Sequence, residues 1–132
     1  MKNRILFLLF GMIIFLAACS GGNAKSKGFS YSNITPNVLN EMFLDKDFQL
    51  INVHIPFDGD LPKTDYSIPY NKIDQFLDKF PEDKDARIVV YCRSGSMSSV
   101  AAEHLASLGY TNVLNLEGGF NAWVAAGYPM KP

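Results

Sequence analysis

The sequence predicts an α/β domain, a parallel central sheet with helices on both faces. Two observations predict it. Short β-branched or apolar runs alternate along the chain with segments of helical period, the pattern of an open α/β sheet. One run, residues 48–53, is apolar on both faces, as a strand covered from two sides must be. A further run, residues 87–91, ends directly at Cys92. A Gly- and Ser-rich loop and a helix follow it, which places the cysteine at the carboxyl edge of the sheet, where ligands bind in such folds.

Taken in order, residues 29–34 form a short strand. Thr35 and Pro36 then supply an N-cap and a first-turn proline. Val38, Leu39, Met42 and Phe43 make the buried stripe of the helix that follows. Residues 48–53 are the second strand. Residues 54–70 form a long loop punctuated by Pro56, Gly59, Pro62 and Pro69, of a length often put to functional use. Asn71 caps a helix whose apolar positions are Ile73, Phe76, Leu77 and Phe80, and Pro81 ends it. The charged run 82–85 is a solvated turn into the strand that leads to Cys92. The next helix buries Val100, Ala101, Leu105 and Leu108 and stops at Gly109. Residues 111–116 are the last strand. Gly118 and Gly119 turn the chain into a terminal helix, residues 120–126, which Trp123 anchors in the core and Gly127 closes.

The 132-residue chain carries 12 basic and 13 acidic residues, a formal charge of −1. Without Lys2 and Arg4 of the amino-terminal segment the balance is −3, and no basic patch is visible, which argues against a nucleic-acid partner. Only two cysteines occur, Cys19 and Cys92. A bridge between them would join a leader boundary to a chemical loop, so no disulfide framework is expected. No His/Asp/Glu/Cys cluster has ligand spacing, so neither a metal nor a cofactor is expected.

The chemistry expected at Cys92 follows from its position. Backbone N–H groups of a small-residue loop, together with the free N–H groups at a helix start, favour an anion at their centre. A thiol held there is drawn toward thiolate, its nucleophilic form. Arg93 adds a positive charge beside it. The alternative is a structural cysteine at a strand end, which does not need such a loop after it.

The residues Cys92, Arg93, Ser94, Gly95, Ser96, Met97 and Ser98 resemble the active-site loop of the rhodanese family of sulfurtransferases, Cys-Arg-x-Gly-x-Arg-Ser. They match at Cys92, Arg93, Gly95 and Ser98 and depart at Met97, where an arginine is common. Residues 108–113 and 116–123, with Gly118, Gly119 and Trp123, resemble the family's closing helix, last strand and Gly-Gly-x-x-x-Trp turn. The resemblance covers about residues 30–130 and implies a rhodanese-like fold with Cys92 as catalytic nucleophile and Arg93 to Ser98 as the substrate- and anion-binding loop. It also implies a strand order that spacing alone does not give. Where the family usually carries Asp-x-Arg after the second strand, this chain has Asn52 and His54. Both charges are absent together, so no lone buried charge is left. The family's Gly-His-Ile-Pro-Gly-Ala segment is missing.

Two further residues are candidate modulators. His54 is expected at the same sheet edge as Cys92, either tuning its ionisation or serving as a hydrogen-bonded loop residue. Asp65 either orients groups at the mouth of the site or makes a turn after Thr64. His104 is expected on a helix surface.

The amino terminus reads as an export signal. Lys2 and Arg4 precede an unbroken small-or-apolar run at residues 5–18, shorter than the roughly 20 residues of a membrane span. Residues 16–19, Leu-Ala-Ala-Cys, resemble the lipobox of bacterial lipoproteins. That resemblance implies cleavage before Cys19, lipidation of it by diacylglyceryl and a fatty acyl chain such as palmitate, and an extracytoplasmic, membrane-anchored protein. Residues 1–18 are then a signal peptide, 19–28 a lipidated tether and 29–132 the domain.

Two functions remain. One is a sulfurtransferase that moves sulfane sulfur from a small donor such as thiosulfate to a thiol or cyanide through a Cys92 persulfide. The other is a module that carries the persulfide without turnover, or docks on a protein sulfur partner, at the membrane surface. A cysteine phosphatase requires an arginine six positions after the cysteine, and Ser98 stands there.

Overall fold

The computed structural model describes residues 30–132. The expected signal peptide, Cys19 and the tether lie outside the described residues. Five strands form the sheet: β1 (Ser32–Ile34), β2 (Gln49–Asn52), β3 (Tyr66–Ser67), β4 (Ile88–Tyr91) and β5 (Val113–Leu116). Their order is β1-β5-β4-β2-β3, and every pairing is parallel. Three α-helices pack on the sheet: α1 (Pro36–Met42), α2 (Ser96–Ser107) and α3 (Gly119–Ala125).

The pleat sorts the apolar residues into two layers, because successive side chains point to opposite faces. Leu50, Val89, Tyr91 and Leu116 face α1 and α3, where they meet Leu39, Phe43, Phe120 and Trp123. Ile51, Val53, Ile88, Val90 and Cys92 face α2, where they meet Ala101, Ala102 and Leu105. The doubly covered parallel sheet expected from the alternation is therefore present. β4 is central and all four of its residues are buried.

Several local expectations also hold. Thr35 caps α1 by accepting a hydrogen bond from the Val38 N–H at 3.3 Å, with Pro36 in the first turn. Gly109 follows α2 with φ of 97°, a left-handed turn that stops the helix. Trp123 is buried, and its indole N–H donates to the Pro129 carbonyl at 2.9 Å.

Other elements differ from expectation. Val100, expected in the buried stripe of α2, is 52% exposed, while Ala101, Ala102 and Leu105 form that stripe. Val38 is 42% exposed: Leu39 of the seven-residue α1 and Phe43 just after it are buried in the core, and Val38 is rotated away from them. Residues 73–79 are not one α-helix but tight 3₁₀ turns interrupted at Phe76 (φ −127°). The tighter winding changes which side chains share a face, so Ile73 and Phe80 are buried while Leu77 is 42% exposed. Asn71 does not cap this segment; Lys72 occupies the capping position without a side-chain hydrogen bond. The long loop contains the two-residue edge strand β3, whose exposed Tyr66 and Ser67 carry no apolar run to betray it.

Candidate active site

β4 and β2 run in parallel with Asn52 opposite Tyr91, so their carboxyl ends lie level. Cys92 leaves the end of β4 and is only 1% exposed. Gly95 then adopts φ of 98°, a conformation favourable only to glycine, and the turn it makes brings its own N–H to 3.0 Å from the Cys92 Sγ. Ser98, in the first turn of α2 and fully buried, places its hydroxyl 3.4 Å from the same sulfur. The Ser98 Oγ also lies 3.2 Å from the Gly95 carbonyl, so its single proton has two acceptors available.

Burial is the largest influence on the Cys92 thiol and pushes its pKa up. Hydrogen bonds from the Ser98 hydroxyl and from the N–H groups of Ser98, Gly95 and Ser94 act the other way and outweigh it. The net result is a pKa below that of an ordinary thiol. Donors aimed at the charged form lower an acid's pKa even where desolvation opposes them. The donor ring faces inward onto the sulfur. Removing the hydroxyl in Ser98→Ala takes away a stabiliser of the thiolate, so the pKa rises. Alkylation of Cys92 by iodoacetamide, followed across pH by mass spectrometry of its peptide, is expected to slow near neutrality and recover at higher pH. An unshifted profile would show that the hydroxyl does not tune the sulfur.

The amides face inward because the carbonyls are held outward. The Cys92 carbonyl accepts from the Phe120 N–H at 2.9 Å, and the Arg93 carbonyl accepts from the Asn121 N–H at 3.1 Å. The first turn of α3 thus clamps the start of the loop. Gly119 permits this close approach: a Cβ there would lie 2.2 Å from the Cys92 carbonyl oxygen and 2.5 Å from that of Arg93. From the sequence, Gly118 and Gly119 read only as a turn. Two adjacent glycines directly before a helix were the signal that the helix start touches something closely.

The remaining loop residues divide. Ser94 and Ser96 are exposed, their hydroxyls 3.2 Å apart. Met97, where the family's arginine is common, is half-buried and packs against the core beneath α2. Arg93 forms an ion pair with Asp58, both side chains 50% exposed, and its guanidinium lies 5.9 Å from the centre of the Phe120 ring.

At the end of β2, the buried Asn52 replaces an expected charge with a bridging amide. Its nitrogen donates to the Gly59 carbonyl and to Asp60 Oδ1, both at 2.9 Å, and its oxygen accepts from the His54 N–H at 3.0 Å. His54 is at the Cys92 edge, as expected. Its ring meets the Phe120 ring edge-on, with centroids 5.7 Å apart, and its buried Nδ1 has no hydrogen-bond partner. Cys92 is not among its polar contacts. Asp65 lies elsewhere. It precedes β3 opposite Leu50, accepting from the Leu50 N–H at 2.8 Å and from Lys46 Nζ at 2.6 Å. Because β3 runs parallel to β2, that position is toward the amino end of the sheet. The expectation that Asp65 orients groups at the mouth of the site is corrected accordingly, and the turn after Thr64 gives way to this pairing. His104, on α2, bonds Asp74 at 2.8 Å.

A polar network behind the site was not foreseen. The buried Tyr91 hydroxyl accepts from the Leu61 N–H at 2.9 Å and lies 2.7 Å from Thr64 Oγ1 and 3.3 Å from Asp60 Oδ1. Burial, with the nearby Asp60 charge, keeps this phenol protonated by pushing its pKa well up, against the hydrogen bonds from Thr64 and Leu61. The network ties the residue before Cys92 to the loop that carries Asp58. The signal was the unbroken burial of β4, in which a tyrosine's hydroxyl must find partners.

A parallel α/β sheet with a cysteine at the carboxyl end of its central strand, ringed by loop amides, is an arrangement that favours the anionic form of the sulfur. The rhodanese-like domain family matches residues 49–126, and the chain belongs to that family. Among its relatives, a sulfurtransferase from Allochromatium vinosum is 35% identical over 88 residues, 64% of this chain and 79% of that one. The thiosulfate sulfurtransferase GlpE of Glaesserella parasuis is 27% identical over 104 residues, 77% of this chain and 94% of that one. The crystal structure of a rhodanese-related protein from Thermoplasma volcanium matches with a TM-score of 0.66 at 28% identity, covering 76% of this chain and 98% of that one. The rhodanese-like fold expected from the loop is confirmed, and relatives of this kind support a role in sulfur transfer.

Proposed function

We infer that the domain transfers sulfane sulfur through Cys92. The observation that carries this reading is the inward ring of donors on Sγ, which draws the thiol toward its thiolate despite its burial. The thiolate attacks the outer sulfur of a donor. With thiosulfate, the donor S–S bond breaks, sulfite leaves with the bonding pair, and Cys92 carries the persulfide anion. A thiol or cyanide then attacks the outer persulfide sulfur, and the Cys92 thiolate is released. The loop amides that stabilise the first anion also face the second, as donors aimed at developing charge do in acyl transfer. Two half-reactions joined by a covalent intermediate predict ping-pong kinetics. A thiosulfate:cyanide assay tests the reading: activity that vanishes in Cys92→Ser supports it, and activity that survives the substitution rejects it.

A second reading has a specific observation behind it. Met97 packs its thioether on the core where the family's arginine is common, and Arg93 is engaged by Asp58. The loop itself therefore offers no unpaired cation to a dianionic donor. A domain of this kind serves as a persulfide carrier fed by a protein partner. Persulfide on Cys92 without turnover is its signature. Met97→Arg is expected to lower the thiosulfate KM several-fold with little change in kcat, since a positive charge added to the loop aids binding of donor and transition state alike. An unchanged KM would remove Met97 as the cause of weak thiosulfate binding.

The amino-terminal segment supports an anchored, extracytoplasmic location, with Cys19 carrying the lipid. Labelled palmitate is expected to enter the full chain and to be lost in Cys19→Ala; equal labelling of both would exclude Cys19 as the acceptor.

A further inference from the structure

We propose that Asp58 sets the charge of the sulfur donor this site accepts, by withdrawing Arg93 from anion recognition. The inference rests on the sulfur-transfer reading and concerns the donor class within it. Arg93 is the one basic residue among positions 92–98. It directly follows the sulfur-bearing residue in sequence and is the loop's one candidate to attract an anionic donor. Its guanidinium is instead held from two directions, by the Asp58 carboxylate and by the Phe120 ring.

Asp58 is itself held in place. The Asn52 amide grips the next two residues, at the Gly59 carbonyl and the Asp60 carboxylate, so the loop presents Asp58 to Arg93. The Tyr91 hydroxyl fastens the same loop through Leu61 and Thr64. The departures from the family pattern thus act together: Asn52 stands where an aspartate is usual, and its amide positions an acid against the loop's cation.

The consequence is electrostatic. A donor approaching Sγ meets a neutralised pair rather than a free cation, so the attraction it would gain from Arg93 is lost. The penalty grows with donor charge, so it weighs about twice as much on dianionic thiosulfate as on a monoanionic donor. An alkyl thiosulfonate has the same reactive sulfur with one charge fewer. Its transfer balances in the same way: the Cys92 thiolate attacks the terminal sulfur, the donor S–S bond breaks, and the alkylsulfinate leaves with the electron pair. The site is therefore selective for singly charged donors.

The experiment compares kcat/KM for thiosulfate and for methanethiosulfonate, with cyanide as acceptor, in the wild type, Asp58→Asn and Asp58→Asn/Arg93→Gln. The wild type is expected to favour methanethiosulfonate. Asp58→Asn frees the guanidinium and is expected to raise the thiosulfate value about tenfold, through KM, while the methanethiosulfonate value rises about threefold or less. The added Arg93→Gln change is expected to cancel the gain, since the two residues act as a pair. Asparagine matches aspartate in size at a half-exposed position, and the thermal midpoint reports whether the fold is retained. Turnover with an unchanged donor ratio in Asp58→Asn, or a gain that survives Arg93→Gln, overturns the inference and leaves the sulfur-transfer reading standing. Absence of both turnover and Cys92 persulfide with either donor overturns the two together.

Discussion

Cys92→Ser is expected to lower sulfur transfer by at least about a thousandfold while leaving the fold intact. The replacement keeps the size and removes the chemistry. A serine hydroxyl does not ionise near neutral pH, and its oxygen does not hold a transferable sulfur. The ring of donors on Sγ then surrounds a neutral group it does not activate. Little stability is at stake, because the hydroxyl retains Gly95 N–H and Ser98 as hydrogen-bond partners. Thermal unfolding and a transfer assay on the same preparation separate the two effects: an unchanged midpoint with lost activity is predicted. Loss of both would make Cys92 a structural residue first.

Gly119→Ala is expected to damage both activity and stability. The added methyl would lie 2.2 Å from the Cys92 carbonyl oxygen, inside any real contact distance, and its neighbours there are backbone atoms that do not swing away. Either α3 withdraws from the loop or the loop rotates. In both cases the bonds from Phe120 and Asn121 to the Cys92 and Arg93 carbonyls lengthen or break. The cost is about 3 kcal/mol, from a collision added to an unfavourable left-handed conformation. Misplacing the donor ring by about 1 Å is enough for a further hundredfold loss of transfer. Gly109→Ala is the control. Its φ is also positive, at 97° against 58° for Gly119, but a methyl there meets nothing within 4 Å. It is expected to lose only about 1 kcal/mol and to keep its activity. Equal losses in the two variants would mean that backbone conformation, not contact with the Cys92 carbonyl, explains Gly119.

The parts of this architecture legible in the sequence were those with short-range causes. The β-branched run 87–91 marked β4 because a central parallel strand is apolar throughout. Thr35 and Pro36 marked the start of α1 because capping is decided within four residues. Cys92, Gly95 and Ser98 were legible because the loop's chemistry and its turn lie in one heptapeptide. What escaped depends on partners far along the chain. Asp65 takes its role from Lys46 and from Leu50, 15 residues earlier, and no local pattern distinguishes that pairing from a turn. Asp58 is 35 residues from Arg93, and Tyr91 is about as far from Leu61 and Thr64. The segment 73–79 has apolar spacing that suits an α-helix, yet the chain winds more tightly there, and Leu77 turns to solvent. Gly119 was visible as a residue but not as a clamp, since the carbonyl it accommodates belongs to Cys92.

The central claim is that the hydroxyl and amides turned inward on the buried Cys92 thiol favour its thiolate, the form that reacts. The pH dependence of iodoacetamide alkylation at Cys92, read on its own peptide in the native protein, tests this most directly. A midpoint below the value of about 8.5 typical of a free cysteine is predicted, with rapid labelling at neutral pH. A midpoint at or above that value, or a thiol that labels only after unfolding, would contradict it.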